Sequence, residues 1–260
     1  MKILYIGEIV AKLGRKAVKE VLPTLLSGDS IDLVVGNAEN LAGGRGATKE
    51  TLEEMMSVGV NYFTGGDHIF WHKDLEDDLE SLPLVCPANF PEPAPGRIFG
   101  IAETKEGRVL LLNLMGRTFM NENFDSPFQK IDFLLDSFLL SQDIDARKDF
   151  ILVDFHAEAS SEKLAFANYV DGRVGAVIGS HTHIPTADPQ IMPKGTYFIS
   201  DAGMTGSADS ILGVKTEIIL NRYLTARHQK FEWEEQGRAW FRSVLIDTKV
   251  KQLTRIDRLV

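Results

Sequence analysis

The chain has 260 residues, 44% of them hydrophobic, enough to fill a large core and suited to one big α/β domain or two small ones. A formal charge of −9 argues against non-specific attachment to nucleic-acid backbones or anionic membranes, which need a basic surface; no DNA binding is expected, and a small anionic substrate would need a local positive centre. Cys86, the one cysteine, permits neither an intrachain disulfide nor a thiolate cluster and reads as a small buried hydrophobe, while the short apolar run of "MKILYIGEIV", broken by Glu8, fits neither a signal peptide nor a membrane span, so a cytoplasmic enzyme is expected.

"KILYIG" reads as a buried strand, and "GRKAVKEVLPTLL" follows with apolar positions at helical spacing. A second unit starts at "IDLVVGNAEN", continues through the amphipathic helix "KETLEEMMSVG", ended by Gly59, and leads into a third strand, "VNYFTGGDH". This β-α-β-α-β order implies parallel pairing with right-handed crossovers, hence a layered α/β fold with central sheets flanked by helices. "RVLLLNLMG", "DFILVDFH", "GAVIGSH" and "TYFISDAG" are further strands, with "PFQKIDFLLDSFLLS" a helix between two of them. From "ILGVKTEIILNRYL" to "FRSVLIDT" the tail reads as a β-hairpin. The proline-rich "CPANFPEPAPGR" interrupts the pattern, either as a surface loop or as the stem of a candidate cap lobe between Leu84 and Arg147.

The polar residues of interest all fall at carboxyl ends of these strands. Glu8 follows "LYIG", Glu39 and Asn40 follow "LVVGNA", Asp67 and His68 follow "YFTGG", His156 ends "ILVDFH", and His181 and His183 follow "AVIGS". Open α/β sheets build their sites at that edge, so distant segments would deliver these groups to one region. A strand-end Glu is usually solvated and a lone buried His usually bonds a carbonyl, but convergence over five strand ends points to a site. Alternation along an extended chain would turn His181 and His183 toward one face. Two ions sharing a bridging carboxylate fit the ligand count.

The motifs "IGEIVAKLGRKAV", "NAENLAGGRG", "GGDHIFW", "PANFP", "NLMGRTFM", "VDFHAEASSEK", "GSHTHIPTAD" and "DAGMTG", in this order over most of the chain, resemble the YmdB-like branch of the binuclear, calcineurin-like metallophosphoesterases, which has 2′,3′-cyclic-nucleotide phosphodiesterase activity. The resemblance implies one ion on Glu8, Glu39, Asn40 and His183, and a second on Glu39, Asp67, His156 and His181, with His68 as proton donor. It also implies self-association into a homo-oligomer. The expected chemistry is attack on a small phosphodiester by a hydroxide bridging two cations. Carboxylate, amide and imidazole donors suit iron or manganese, with zinc a further option. The family ordinarily carries aspartate in place of Glu8 and asparagine in place of Asp67. The same ligands would also serve a hydrolase of another ester or amide, or a weakly active or inactive metal-binding regulator.

Other features carry less. "AGGRGAT" lacks the Gly-Lys-Ser/Thr ending of a P-loop and reads as a flexible loop beside the site. Glu158 either orients an imidazole or is a solvated carboxylate, Asp201 and Met204 serve packing or loop support, His72 and His228 read as surface histidines, and Trp71, Trp233 and Trp240 as core or interface residues.

Overall fold

The computed structural model describes residues 1–28, 30–139 and 149–260. The first three strands are β1 (Lys2–Ile6), β2 (Leu33–Asn37) and β3 (Tyr62–Thr64), paired parallel in that order. Helices α1 (Ala11–Gly28) and α2 (Lys49–Met56) make the crossovers, and Thr48 opens α2 with a capping box shared with Thr51. Gly59, at φ +110°, turns the chain out of α2 toward β3. A short β4 (Leu84–Val85) extends the sheet beyond β3.

A second sheet is built from β5 (Phe99–Thr104), β6 (Gly107–Met115), β7 (Phe150–His156), β8 (Ala176–Ser180), β9 (Gln190–Ile191) and β10 (Tyr197–Ile199), in the order β5-β6-β7-β8-β10-β9. From β6 through β7 and β8 to β10 the pairing is parallel. Helices α3 (Pro127–Phe133) and α4 (Ser160–Val170) cover its outer face. The helix expected from Pro127 to Ser141 continues past α3 as a π-helical stretch, Leu134–Phe138, and its last two residues lie outside the described residues. Of the span from Leu84 to Arg147, the described part supplies β4 to the first sheet and β5 and β6 to the second; residues 140–148 lie outside the described residues.

Strand alternation explains the layering. Ile3 and Tyr5 of β1, Leu33 and Val35 of β2, Leu111 of β6, Leu152 of β7 and Ile178 of β8 meet in a core between the two sheets. The alternate residues Leu4, Ile6 and Val34 face α1 and α2. Leu110, Leu112, Ile151, Val153 and Phe155 face α3 and α4, where Phe155 stacks on Phe166 at 4.2 Å between ring centroids. Each such side chain contributes about 1.5–3 kcal/mol on burial, so strand registers are fixed by their apolar faces.

The tail departs from expectation. After β11 (Gly206–Ser207), residues Thr216–Thr225 form helix α5; the hairpin is confined to β12 (Ala239–Asp247) and β13 (Gln252–Leu259). The pair Ile218 and Ile219 suggests a strand, but only Ile219 of α5 is buried, and Leu220, Tyr223 and Leu224 are exposed. β12 pairs antiparallel with β1, placing the first strand between β2 and the end of the chain.

Cys86 lies in the helix-covered core of the first sheet, and burial, with a smaller effect from Glu80, pushes its thiol up to about 12. Only the thiolate is nucleophilic, so the native protein should resist a thiol reagent at pH 8 and release one equivalent on unfolding. Rapid labelling of native protein would contradict this burial.

Candidate metal centre

The sequence-selected residues come together at the carboxyl edge of both sheets. Glu8 leaves β1, Glu39 and Asn40 leave β2, and Asp67 and His68 leave β3; from the second sheet come His156, at the end of β7, and His181 and His183, beyond β8. Two groups of potential ligand atoms converge, and they share Glu39: Glu39, Asp67, His156 and His181 form one, Glu8, Glu39 and His183 the other. In the first, His156 Nε2 lies 3.1 Å from Glu39 Oε2, 3.0 Å from Asp67 Oδ1 and 3.0 Å from His181 Nδ1. In the second, His183 Nε2 lies 3.3 Å from Glu8 Oε2. Asn40 Nδ2 donates to Glu39 Oε1 at 2.6 Å and lies 3.3 Å from His183 Nε2.

Close backbone approach makes room for this. A Cβ on Gly66 would fall 2.1 Å from Glu39 Oε2, and one on Gly7 would fall 1.9 Å from the Gly203 carbonyl. Only glycine lets the β1 and β3 exits come so near the cluster. The two histidines of "GSHTHIP" arrive by a route that alternation does not describe. β8 stops at Ser180, and His181 and His183 have φ of +95° and +64°. Their left-handed backbone sends one imidazole to each ligand group; strain of this kind is found where surrounding structure enforces it. Here Glu8 Oε1 accepts from His181 N at 2.5 Å and Asp201 Oδ2 from Thr182 N at 3.0 Å.

Beneath the cluster lies a polar layer that the sequence reading missed. Asp154, fully buried on the inward face of β7, accepts from Tyr5 Oη at 2.6 Å, Thr64 Oγ1 at 2.5 Å, Asn37 Nδ2 at 3.0 Å and Ser180 Oγ at 2.5 Å. One carboxylate thus joins β1, β2 and β3 of one sheet to β8 of the other. Its signal was an acid inside "ILVDFH", since a charge inside a buried strand requires partners. Burial and Asp154 together push the Tyr5 phenol well up, keeping it a donor. The layer also sets a tautomer. The single Ser180 hydroxyl hydrogen goes to Asp154, so Ser180 Oγ accepts from His156 Nδ1–H at 2.9 Å, and Nε2 is the nitrogen turned toward Glu39 and Asp67.

The cluster crowds buried carboxylates around few donors. Glu8 and Glu39 are each 1% exposed, and Glu8 Oε2 and His183 Nδ1 are buried without a hydrogen-bond partner. Burial, then the neighbouring Glu39 charge, holds the Glu8 carboxyl well above the usual range. For Glu39, burial is outweighed by His156, bringing it down to about 2; burial works against the His156 imidazolium but Glu39 and Asp67 hold it well up. Burial pulls His183 down to about 4, a neutral imidazole. Oxygen and imidazole donors crowded in this way fit divalent or trivalent cations.

His68 stands at the rim, 30% exposed, with Nδ1 3.8 Å from Glu39 Oε2 and Nε2 3.8 Å from Asp67 Oδ2. Burial lowers its pKa, yet Glu39 and Asp67 outweigh this and raise it. Glu158 Oε2 lies 3.1 Å from His181 Nε2, the orienting position its sequence suggested. His72 Nε2 bonds the Arg45 carbonyl at 3.0 Å. His228 is exposed, and so is Trp71, at 57%, which removes Trp71 from the core.

Asp201 supports the loop as its motif suggested, and its counter-ion is Lys163. The ammonium, 1% exposed, donates to Asp201 Oδ2 at 2.8 Å and to the Ser180 carbonyl at 2.6 Å. Lys163 shares a helix face with Phe166, Ala167 and Val170, spacing that marks it as inward-facing.

A protein from Bacillus subtilis (strain 168) named 2′,3′-cyclic-nucleotide 2′-phosphodiesterase is 39% identical over 100% of this chain and 97% of its own length. The crystal structure of a hypothetical protein from Thermus thermophilus matches with TM-score 0.90 and 38% identity, covering 100% of this chain and 99% of the other. A crystal structure described as a novel phosphatase of Mycoplasma pneumoniae matches with TM-score 0.87 and 31% identity, covering 100% and 93%. Fold and cluster define a hydrolase of the metallophosphoesterase type. Within that class the chain belongs to the YmdB-like protein family, whose profile matches residues 4–259.

Replacing Lys163 by Met strands Asp201 as an uncompensated buried charge and should cost about 3–5 kcal/mol in urea unfolding. Adding Asp201→Leu should recover much of that loss; a double variant no more stable than Lys163→Met would refute the pairing.

Proposed function

We propose that the protein is a metal-dependent phosphodiesterase that opens 2′,3′-cyclic nucleotides at a site for two transition-metal ions. The observation that carries this reading is the pair of ligand groups sharing Glu39, with His68 beside them. Glu8, Glu39, Asn40 and His183 would hold one ion, and Glu39, Asp67, His156 and His181 the other. Iron and manganese suit these donors best, and zinc is compatible with them. When bound, the ions neutralise phosphate oxygens and make water a nucleophile at neutral pH.

The remaining work falls to the chain. In the reaction a water oxygen bonds to phosphorus, one ribose oxygen leaves, and that oxygen takes up a proton. His68 is the donor: it sits at the rim with its two ring nitrogens each 3.8 Å from a carboxylate oxygen, of Glu39 and of Asp67, and these carboxylates raise its pKa against the effect of burial. His156 is locked by Ser180 with Nε2 facing inward, and Glu158 holds His181 from outside. A cytoplasmic homo-oligomer completes the proposal; among the described residues no helix is long and apolar enough to cross a membrane.

Activity on adenosine 2′,3′-cyclic phosphate with manganese, beside bis-p-nitrophenyl phosphate and p-nitrophenyl acetate, tests the reaction class; turnover of the acetate alone would replace it with ester hydrolysis. His68→Ala should lower kcat by about 10²–10⁴-fold and leave metal content intact. His181→Ala should lose one ion and Glu39→Ala both, as read by elemental analysis. Protein free of metal after reconstitution would remove the basis of the mechanism.

Asp67 adds a negative charge to those of Glu8 and Glu39, which favours a trivalent ion in one position. After aerobic reconstitution with iron, the ferric fraction should therefore be higher in the wild type than in Asp67→Asn, by Mössbauer spectroscopy. Equal fractions would show that this charge does not select the oxidation state.

A further inference from the structure

A cavity of about 640 Å³ opens beside His68, lined in part by Arg45, Trp71, Arg222, Lys230, Phe231 and Trp233. Its wall alternates rings and cations. The Trp71 ring meets His68 edge-on at 6.3 Å between centroids. The Arg45 guanidinium lies 4.8 Å above Trp71 and 5.8 Å from Phe231, and Arg222 lies 5.4 Å from Phe231 on the way outward. Trp233 closes the inner side against Gly44, whose φ of +85° and lack of a Cβ let the loop pack on the indole.

The charge of this wall is at odds with the rest of the molecule. The chain carries −9 overall, yet three permanent cations and two histidines line the cavity and no carboxylate does. Among the described residues Arg45, Arg222 and Lys230 make no side-chain hydrogen bond and no ion pair with an acid. Stacking occupies the guanidinium faces, so their N–H edges remain to donate. This is the local positive centre that an acidic protein needs for an anionic substrate.

A 2′,3′-cyclic mononucleotide cannot use it fully. Its one phosphate belongs at the metal cluster, and a neutral base needs no cations. The 2′ and 3′ oxygens are both in the cyclic ester, so the ribose can carry a second phosphate only on its 5′ oxygen. We propose that this cavity binds a 5′-linked phosphate, with the adjoining base stacked against the aromatic wall, so that the preferred substrate is a 2′,3′-cyclic phosphate at the end of an oligoribonucleotide. The proposal rests on the phosphodiesterase reading and adds its substrate class. In the reaction water adds to the cyclic phosphorus, one P–O(ribose) bond breaks and the freed ribose oxygen takes a proton; the 5′-linked phosphate is unchanged.

The test compares manganese-loaded protein on adenosine 2′,3′-cyclic phosphate, its 5′-phosphorylated form, and the dinucleotide ApA ending in a 2′,3′-cyclic phosphate. The dinucleotide should exceed the unphosphorylated nucleotide in kcat/KM by about tenfold or more, mainly through KM, the return expected of one charge-assisted hydrogen bond. A gain confined to the 5′-phosphorylated mononucleotide would assign the cavity to a terminal phosphate and overturn the oligonucleotide. Arg222→Glu with Lys230→Glu, checked for unchanged metal content, should bring the ratio close to one. Equal kcat/KM for all three substrates, or a preference that survives the charge reversal, overturns the proposal.

Binding separates this outcome from failure of the underlying reading. Tryptophan fluorescence should report tighter binding of adenosine 3′,5′-bisphosphate than of adenosine 3′-phosphate, and the charge reversal should abolish the difference. If no cyclic phosphate is turned over while that difference is present, the phosphodiesterase reading falls and the phosphate-binding cavity stands. If the difference is absent, the cavity assignment falls, whatever the turnover.

Discussion

Three carboxylates held together almost out of water are the constraint on which this structure depends. Glu8 and Glu39 are each 1% exposed, Asp67 is nearly as buried, and all three face imidazole nitrogens. Burying even one ionised carboxylate costs several kcal/mol unless it is paired. The fold therefore concentrates here a charge that its own side chains only partly balance. Glu8 illustrates the imbalance, for its carboxyl is pushed well up while one oxygen lacks a partner. In the proposed reading cations supplied from solution relieve it, so the same feature that strains the protein would define what it binds.

Support for that arrangement comes in two tiers. Asp154 lies just below the cluster, gathers donors from four strands and fixes which nitrogen of His156 faces inward. Lys163 and Asp201 hold the loop of His181 and His183 from the side, by way of Ser180 and Thr182. Both tiers are buried and hydrogen-bonded, which makes them rigid and costly to disturb. The candidate ligands consequently stand on braced strand ends while the cavity beside His68 is walled by loops and the exposed end of α5.

Much of the architecture was legible because strand alternation and helix spacing are strong local signals. The parallel units from Lys2 to Thr64 and the strands ending at Met115, His156 and Ser180 follow the apolar runs that suggested them. The convergence of Glu8, Glu39, Asp67, His156, His181 and His183 followed from their shared place at strand ends. The backbone of His181 and His183 did not, because positive φ at a non-glycine residue is imposed by distant partners such as Glu8. Helix α5 was misread because two adjacent isoleucines imitate a strand, and its neighbours on the surface gave no opposing pattern. Asp154 and Lys163 were readable in principle, as charges at positions whose spacing points inward.

The position of β1 has a consequence for how the chain reaches this state. The first strand lies between β2, which follows it closely, and β12, which is more than two hundred residues away in sequence. One side of β1 can be covered early, but the other stays an open edge until nearly the whole chain is available. Glu8 meets His181 and His183 earlier, once the chain has passed the end of β8. During synthesis the protein thus carries an apolar strand with unpaired backbone groups for a long interval, a template for pairing with other chains. The candidate ligands all precede β12 in the chain, so they gather while the edge of β1 is still open, and only the C-terminal hairpin closes it.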